Sequence, residues 1–269
     1  MVAFVLYPIF VFGEVIRKTI KKFPSGAPET DKFYDNGAEI ATVTYDNELN
    51  ILKISGNIPD GKVNEYYENG VLRFEVIYKN NKKEGISKEY FEDGKLKSEN
   101  NYKDGKFEGI CKNYYKSGKI KCEFNFKAGK LEGVSKGYYE TGEIRFEWNF
   151  KDGEKEVIAK EYFGNGNLKN EINFKNGKKG GVSKEYYETG VLKGEANFKD
   201  DKQEGISKEY YESGSLKGES TFKDGKQEGI AKEYYENGKV KFELTYKNGT
   251  IINRKNYSPE GKLVSEENF

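Results

Sequence analysis

The chain has no histidine in 269 residues. That removes the commonest general base and the commonest transition-metal ligand. Cysteine is nearly absent as well, and Cys111 with Cys122 are too few for a zinc site made of Cys and His. An apolar run long enough to cross a bilayer as a helix needs about 20 residues. The run Met1 to Phe12, M-V-A-F-V-L-Y-P-I-F-V-F, is too short. Charge of one sign does not dominate: 46 Lys and Arg are interleaved with 45 Asp and Glu, so the basic footprint of a nucleic-acid binder is missing. Apolar residues make up only 35%, below the usual 45–50% or so, which taken alone would suggest disorder. The 15% aromatic content argues the other way, because disordered chains are poor in aromatics.

What is present is a repeat. From Lys202 the chain reads K-Q-E-G-I-S-K-E-Y-Y-E-S-G-S-L-K-G-E-S-T-F-K-D-G, and from Lys226 almost the same words return. The Glu-Gly pair recurs at Glu84-Gly85, Glu108-Gly109, Glu132-Gly133, Glu204-Gly205 and Glu228-Gly229, always in a 24-residue register. Degenerate copies stand at Asp60-Gly61, Glu156-Val157 and Gly180-Gly181. A fixed period of this length makes the chain a quasi-linear array in which each unit packs on its neighbours. Such a fold needs only a thin apolar strip per unit, which fits the low apolar fraction.

Each unit carries two glycine turns, one after the Tyr pair (Gly70, Gly94, Gly118 and onward) and one at Gly105, Gly129, Gly153 and their counterparts. Asn81 and Asp201 replace the second glycine in two units. Glycine, then Asn and Asp, are the residues that tolerate positive φ where a chain reverses. Turns every 11 to 13 residues leave room for strands of about seven to nine, which is hairpin spacing. The strand after the first turn alternates with period two: Leu72, Phe74, Val76 and Tyr78, then Ile144, Phe146, Trp148 and Phe150. In weaker units only the ends hold, as in Leu192 with Phe198 and Leu216 with Phe222. In the preceding strand, I-S-K-E-Y-F, hydrophobicity assigns Ile86 and Tyr90 to the core side and Phe91 to the opposite face. A bulge in the turn would swap those faces.

The expected fold is therefore all-β, an elongated single-sheet solenoid of stacked antiparallel β-hairpins. Residues 1–13 read as an apolar leader or a truncated secretory signal, with Val11-Phe12-Gly13 as a cleavage site ahead of Glu14. Export to the cell envelope or beyond is the expectation that follows, with an apolar first strand and a cytoplasmic protein as the alternative. Residues 14–59 form a divergent N-terminal repeat or cap, 60–251 hold eight regular repeats, and 252–269 a capping half-repeat. Pro259 and a charged last strand are suited to blunting an open sheet edge.

The pattern F-K-D-G-K-Q-E-G-I-A-K-E-Y-Y-E-N-G-K-V-K-F-E resembles the MORN-repeat variant, in the form found in bacterial proteins of the YwqK-type antitoxin family. The resemblance is close from about Asp60 to Gly249 and loose at both ends. It implies a non-enzymatic scaffold that binds a partner protein, with neutralisation of a toxin as the sharper alternative. An exported adhesin or glycan-binding repeat protein is a second alternative. The first strand has I-S-K or I-A-K where a standard MORN unit has a second glycine, so membrane contact is left open and lipid binding is not carried over. Choline- and glucan-binding wall repeats normally place a Trp in each unit, whereas Trp148 stands alone here.

The candidate binding surface is a ladder of the second aromatic of each pair: Tyr67, Phe91, Tyr115, Tyr139, Phe163, Tyr187, Tyr211 and Tyr235. With two strands per unit these rings would stand about 9–10 Å apart. Tyr buries large area with few rotors to freeze, which suits a protein partner. The competing reading is that both aromatics of each pair merely cover the sheet. Glu89 with Lys88, Glu185 with Lys184, Glu209 with Lys208 and Glu233 with Lys232 repeat in nearly every unit, so they read as a solvated face rather than catalytic carboxylates. Gly164 to Lys169 lacks the phosphate-loop spacing. No catalytic residue, metal site, cofactor, nucleic acid or small-molecule substrate is expected. Cys111 and Cys122 lie in one hairpin, where two independent buried thiols are preferred over a cross-strand disulfide.

Overall fold

The computed structural model describes residues 14–49 and 51–269. The leader expected over residues 1–13 lies outside them. Every regular element among the described residues is a β-strand, joined to its neighbours mainly by antiparallel hairpins, as the alternation and glycine spacing predict. The chain divides into two units, the first ending at Lys130 and the second running Leu131–Phe269.

The first unit begins with β1 (Val15–Lys22), β2 (Pro28–Asp35), β3 (Ala38–Tyr45), β4 (Ile51–Gly56), β5 (Gly61–Tyr66) and β6 (Leu72–Lys79). Their order in space is β4-β3-β2-β1-β5-β6, because β1 pairs in parallel with β5 through Val15↔Val63 and Ile16↔Asn64. The remaining pairings are antiparallel. Phe33 on β2 and Tyr78 on β6 meet edge to face with ring centroids 5.5 Å apart. Three strand spacings of about 4.8 Å separate β2 from β6 in a flat sheet. The sheet therefore curls here until side chains on its inner face touch across it. Val15, Phe33, Val43, Val63, Val76 and Ile58 on the β4–β5 connection make this the buried core of the unit. Two regular hairpins follow, Gly85–Tyr90 with Leu96–Lys103 and Gly109–Tyr114 with Ile120–Lys127.

The second unit repeats that hairpin from Gly133–Tyr138 with Ile144–Lys151 through Gly229–Tyr234 with Val240–Lys247, then ends in Thr250–Tyr257 and Leu263–Asn268. Two kinds of corner alternate. At the wide one, Tyr187 N–H donates to Val191 O and Gly190 N–H to Tyr187 O, both at 2.8 Å, with Gly190 at φ 88°. At the narrow one, two consecutive residues take positive φ, such as Asp152 at 53° and Gly153 at 91°. That is the hairpin turn whose twist matches the flanking strands, and Asp or Asn before Gly is its preferred occupant.

The Glu-Gly pair has its own structural role. Its glycine is a third left-handed position, Gly229 at φ 77° for example, and it offsets the strand that follows. Its glutamate reaches the next narrow corner. Glu228 accepts the N–H of Asn248 at 2.7 Å and Glu132 that of Asp152 at 2.9 Å, so a glutamate here caps the corner that leads from its hairpin to the next; Gly180 has no side chain to do so.

This offset corrects one expectation. Ile86 and Tyr90 do not face the core: Ile86 is 49% exposed, whereas its neighbour Ser87 is 2% exposed. Cys111, Ser135 and Ala159 occupy the Ser87 slot and are likewise buried. The inner face of a curling sheet is crowded, and small side chains fit opposite the large ones of the following strand. Cys111 pairs with Phe124 and Ser135 with Trp148.

Candidate functional site

The eight aromatics of the proposed ladder sit at the wide corners, one residue past the end of the first strand of each hairpin, and all are half-buried. Their hydroxyls point along the array. Tyr67 donates to the carbonyl oxygen of Tyr90 at 2.7 Å, and Tyr139, Tyr187, Tyr211 and Tyr235 donate to those of Tyr162, Tyr210, Tyr234 and Tyr257 at 2.7–2.9 Å. Phe91 and Phe163 fill the same slot without a hydroxyl. At those five tyrosines the ladder pins one hairpin to the next while leaving ring edges at the surface.

The outer face carries two further rows in the second unit. Val134, Val182, Ile206 and Ile230 occur once per repeat, and Ile206 and Ile230 are 57% and 54% exposed. Beside them run cross-strand ion pairs, Lys136–Glu147 at 2.8 Å, Lys160–Glu171 at 3.6 Å and Lys232–Glu243 at 3.3 Å. The first Tyr of each pair joins this network: Tyr162 donates to Glu147 at 3.2 Å and Tyr234 to Glu219 at 2.7 Å. Burial, reinforced by that carboxylate, pushes the Tyr234 phenol up to about 12. The hydrogen bond from Lys136 holds the Glu147 carboxyl below its ordinary range. Each carboxylate already has a cation or a phenol, and the arrangement recurs, so no pair is set apart for acid–base work.

The inner face of the second unit varies along its length. In its first hairpin Phe146 and Trp148 stack with centroids 4.0 Å apart, and Gly137 opposite leaves room for the Phe146 ring. The slots of Phe146 and Trp148 are then taken by Asn170 and Ile172, by Gly194 and Ala196, and by Gly218 and Ser220, before Phe242 and Leu244 restore large side chains. A hollow of about 450 Å³ lies over this stretch. Sequence reasoning passed over it, because these units registered only as weaker versions of the strand pattern.

Cys111 and Cys122 are both free and buried on the inner face. Cys122 pairs across the hairpin with Asn113, whose side-chain amide donates to its sulfur at 3.2 Å. Burial pushes the Cys111 thiol up, which makes it a poor nucleophile. No group of three or more Cys, Asp or Glu able to hold a metal ion occurs among the described residues. No helix among them is long and apolar enough to cross a membrane.

The model of the MORN repeat variant family matches eight stretches, residues 59–80, 83–104, 107–128, 131–152, 155–176, 179–200, 203–224 and 227–248. A search of curated proteins finds no match. Among solved structures, that of the TcdB2-TccC3-Cdc42 complex aligns with 95% of this chain at 12% identity and a TM-score of 0.20. The Photorhabdus luminescens Tc holotoxin pore aligns with 94% at 13% identity and a TM-score of 0.22. In each case the chain spans only 16% of the other's length. A functionally unknown protein from Desulfotomaculum acetoxidans aligns over 88% of this chain and 78% of its own, at 12% identity and a TM-score of 0.15. Likenesses at such scores carry no argument about what this chain does.

Proposed function

The chain belongs to the MORN repeat variant family, and we propose that it is a non-enzymatic scaffold that engages a partner protein along its sheet surface. MORN arrays are repeat scaffolds, often protein-binding. The observation that carries the reading here is the exposed row of Val182, Ile206 and Ile230 on the outer face of the second unit. β-Branched side chains left in water at one register of successive hairpins form a patch of the kind that marks an interaction site. The ion pairs beside the row are half-buried and still reach water, so each contributes little to stability and is available to orient a partner.

The test is a pull-down from the native host with the bound protein identified, comparing the wild type with a Val182→Thr, Ile206→Thr, Ile230→Thr variant. The substitutions keep β-branching and remove apolar surface, so the fold should persist while capture falls at least tenfold. Equal capture by the variant would move the binding surface elsewhere, in the first place to the corner ladder of Tyr187, Tyr211 and Tyr235. The sharper reading, neutralisation of a toxin, rests on the resemblance to YwqK-type antitoxins. It requires that the captured protein arrest growth when expressed alone and cease to do so when this chain is co-expressed.

A further inference from the structure

The hollow on the inner face of the second unit lies on the opposite side of the sheet from the exposed Val and Ile row. Its floor is made of Gly194, Ala196, Ser183 and Ser207. Neither Gly194 nor Gly218 has positive φ, so the backbone does not demand glycine at either place. Elsewhere the same slot holds Phe146 or Phe242, and Phe242 faces Glu233 as Gly194 faces Glu185. A Cβ at Gly194 or Gly218 would come within 3.3 Å of one carbonyl oxygen of the neighbouring strand, a tight but single contact. Glycine inside a strand weakens it, and one common reason for its presence is close approach by another molecule. Two such glycines stand side by side here in successive hairpins.

Two observations define the occupant. The first is shape: the space left at Gly194 and Ala196 is the space that the chain's own Phe146 and Trp148 occupy in an earlier hairpin of the same unit. An inserted aromatic ring would meet Phe198, which walls the hollow. The second is charge. On one side, Glu185 is paired with Lys193 at 2.7 Å and Glu209 with Lys217 at 3.5 Å, so that lip is neutral. On the other, Lys179 lies 5.3 Å over the Phe198 ring. Lys179 is in no ion pair among the described residues. This edge of the hollow carries the charge of Lys179 beside the Phe198 ring.

We propose that this hollow docks an acidic peptide segment bearing an aromatic side chain, the ring resting on the Gly194 and Ala196 floor and the carboxylates facing Lys179. The inference does not need the outer row, and the variant that removes that row leaves it intact.

The test is saturation-transfer NMR on the intact chain with the probe peptide acetyl-Asp-Trp-Asp-Glu-amide. Three comparison probes are the same peptide with Ala for Trp, with Lys for each acidic residue, and methyl β-glucoside. The acidic aromatic peptide should bind weakly, and each comparison probe at least tenfold more weakly still. Gly194→Phe, which copies the Phe242 arrangement, should abolish binding while the chain keeps its β spectrum. Should that variant fail to fold, Ala196→Leu, which copies Leu244, fills the same space. Lys179→Gln should weaken the acidic peptide several-fold and leave N-acetyl-tryptophan amide unaffected. Undiminished binding to a folded filled variant overturns the proposal. So does a preference for the glucoside or the basic peptide, or no binding of the acidic aromatic peptide at millimolar concentration.

Discussion

The hydroxyl of Tyr187 lies 2.9 Å from the carbonyl oxygen of Tyr210, the residue that ends the first strand of the next hairpin. One side chain thereby joins two repeats that otherwise meet through strand pairing and through Asp201, whose carboxylate accepts the N–H of Lys179 at 2.9 Å. In an array stabilised by neighbour-to-neighbour contacts, such a bond acts on the interface between units rather than within one. Tyr187→Phe keeps the ring and removes only the donor, so it should cost about 1 kcal/mol. Urea unfolding should show a lower midpoint with an unchanged slope. A variant indistinguishable from wild type would mean that the corner hydroxyls are solvated rather than committed.

Val157 stands where the other regular units place glycine, and it is held at φ 67°. A left-handed conformation costs an L-residue about 1–2 kcal/mol, more where the side chain is β-branched. The valine is 59% exposed, so its removal opens no cavity. Val157→Gly relieves the strain at a cost of about 0.5–1 kcal/mol in chain entropy. The expected result is a chain more stable by up to about 1 kcal/mol. A destabilised variant would show that the valine contributes packing beyond what its exposure suggests.

Much of this was legible in the sequence, and the exceptions have physical causes. Leu72, Phe74, Val76 and Tyr78 alternate as a half-buried strand must, and the glycines at 70, 94 and 118 mark the corners they form. The facing of the preceding strand was not legible. Ile86 is more apolar than Ser87, so hydrophobicity points the wrong way. The deciding factors are the left-handed Gly85 ahead of the strand, at φ 69°, and the crowding inside a curled sheet, neither of which a hydropathy pattern encodes. The hollow escaped for a related reason. Gly194 and Gly218 look like lapses in an alternation until their neighbours are seen to be filled by rings.

Glu65 and Glu209 hold the same slot of the repeat in opposite environments. Glu65 is buried beneath the curled first unit, where it accepts hydrogen bonds from Arg17 Nε at 2.8 Å and Arg73 Nη1 at 2.9 Å. Glu209 is exposed and meets Lys217 at 3.5 Å. Removing one partner of a buried pair strands the other charge, so Glu65→Ala should destabilise by about 3–5 kcal/mol. Glu209→Ala should change stability by less than about 0.5 kcal/mol. Chemical denaturation of the two variants side by side checks both numbers. Similar losses at the two positions would mean that the first unit is open to water.

The same buried cluster makes stability depend on alkaline pH. Lys83 lies with its ammonium 5.1 Å over the Tyr102 ring, and burial, aided by the charge of Arg17, lowers its pKa to about 8. Asp31 and Glu65 oppose that shift without reversing it. In the unfolded chain the same amine titrates near 10.4 or so, so between about pH 8 and pH 10 the unfolded state binds a proton that the folded state does not. Stability should therefore rise with pH across that window. Tyr45, Tyr78 and Tyr102 work in the other direction. Burial raises all three, Tyr78 to about 12, and the stability they contribute is complete below pH 10 or so and lost as pH climbs past it. The expected profile of urea midpoint against pH is a maximum near pH 10, climbing from pH 8 and falling steeply beyond. Lys83→Met removes the titrating amine and keeps an unbranched apolar stem. It should flatten the climb, leave the fall in place, and be more stable than wild type at pH 7, where the folded chain otherwise carries a desolvated ammonium. A variant that retains the climb would assign it to a group other than Lys83.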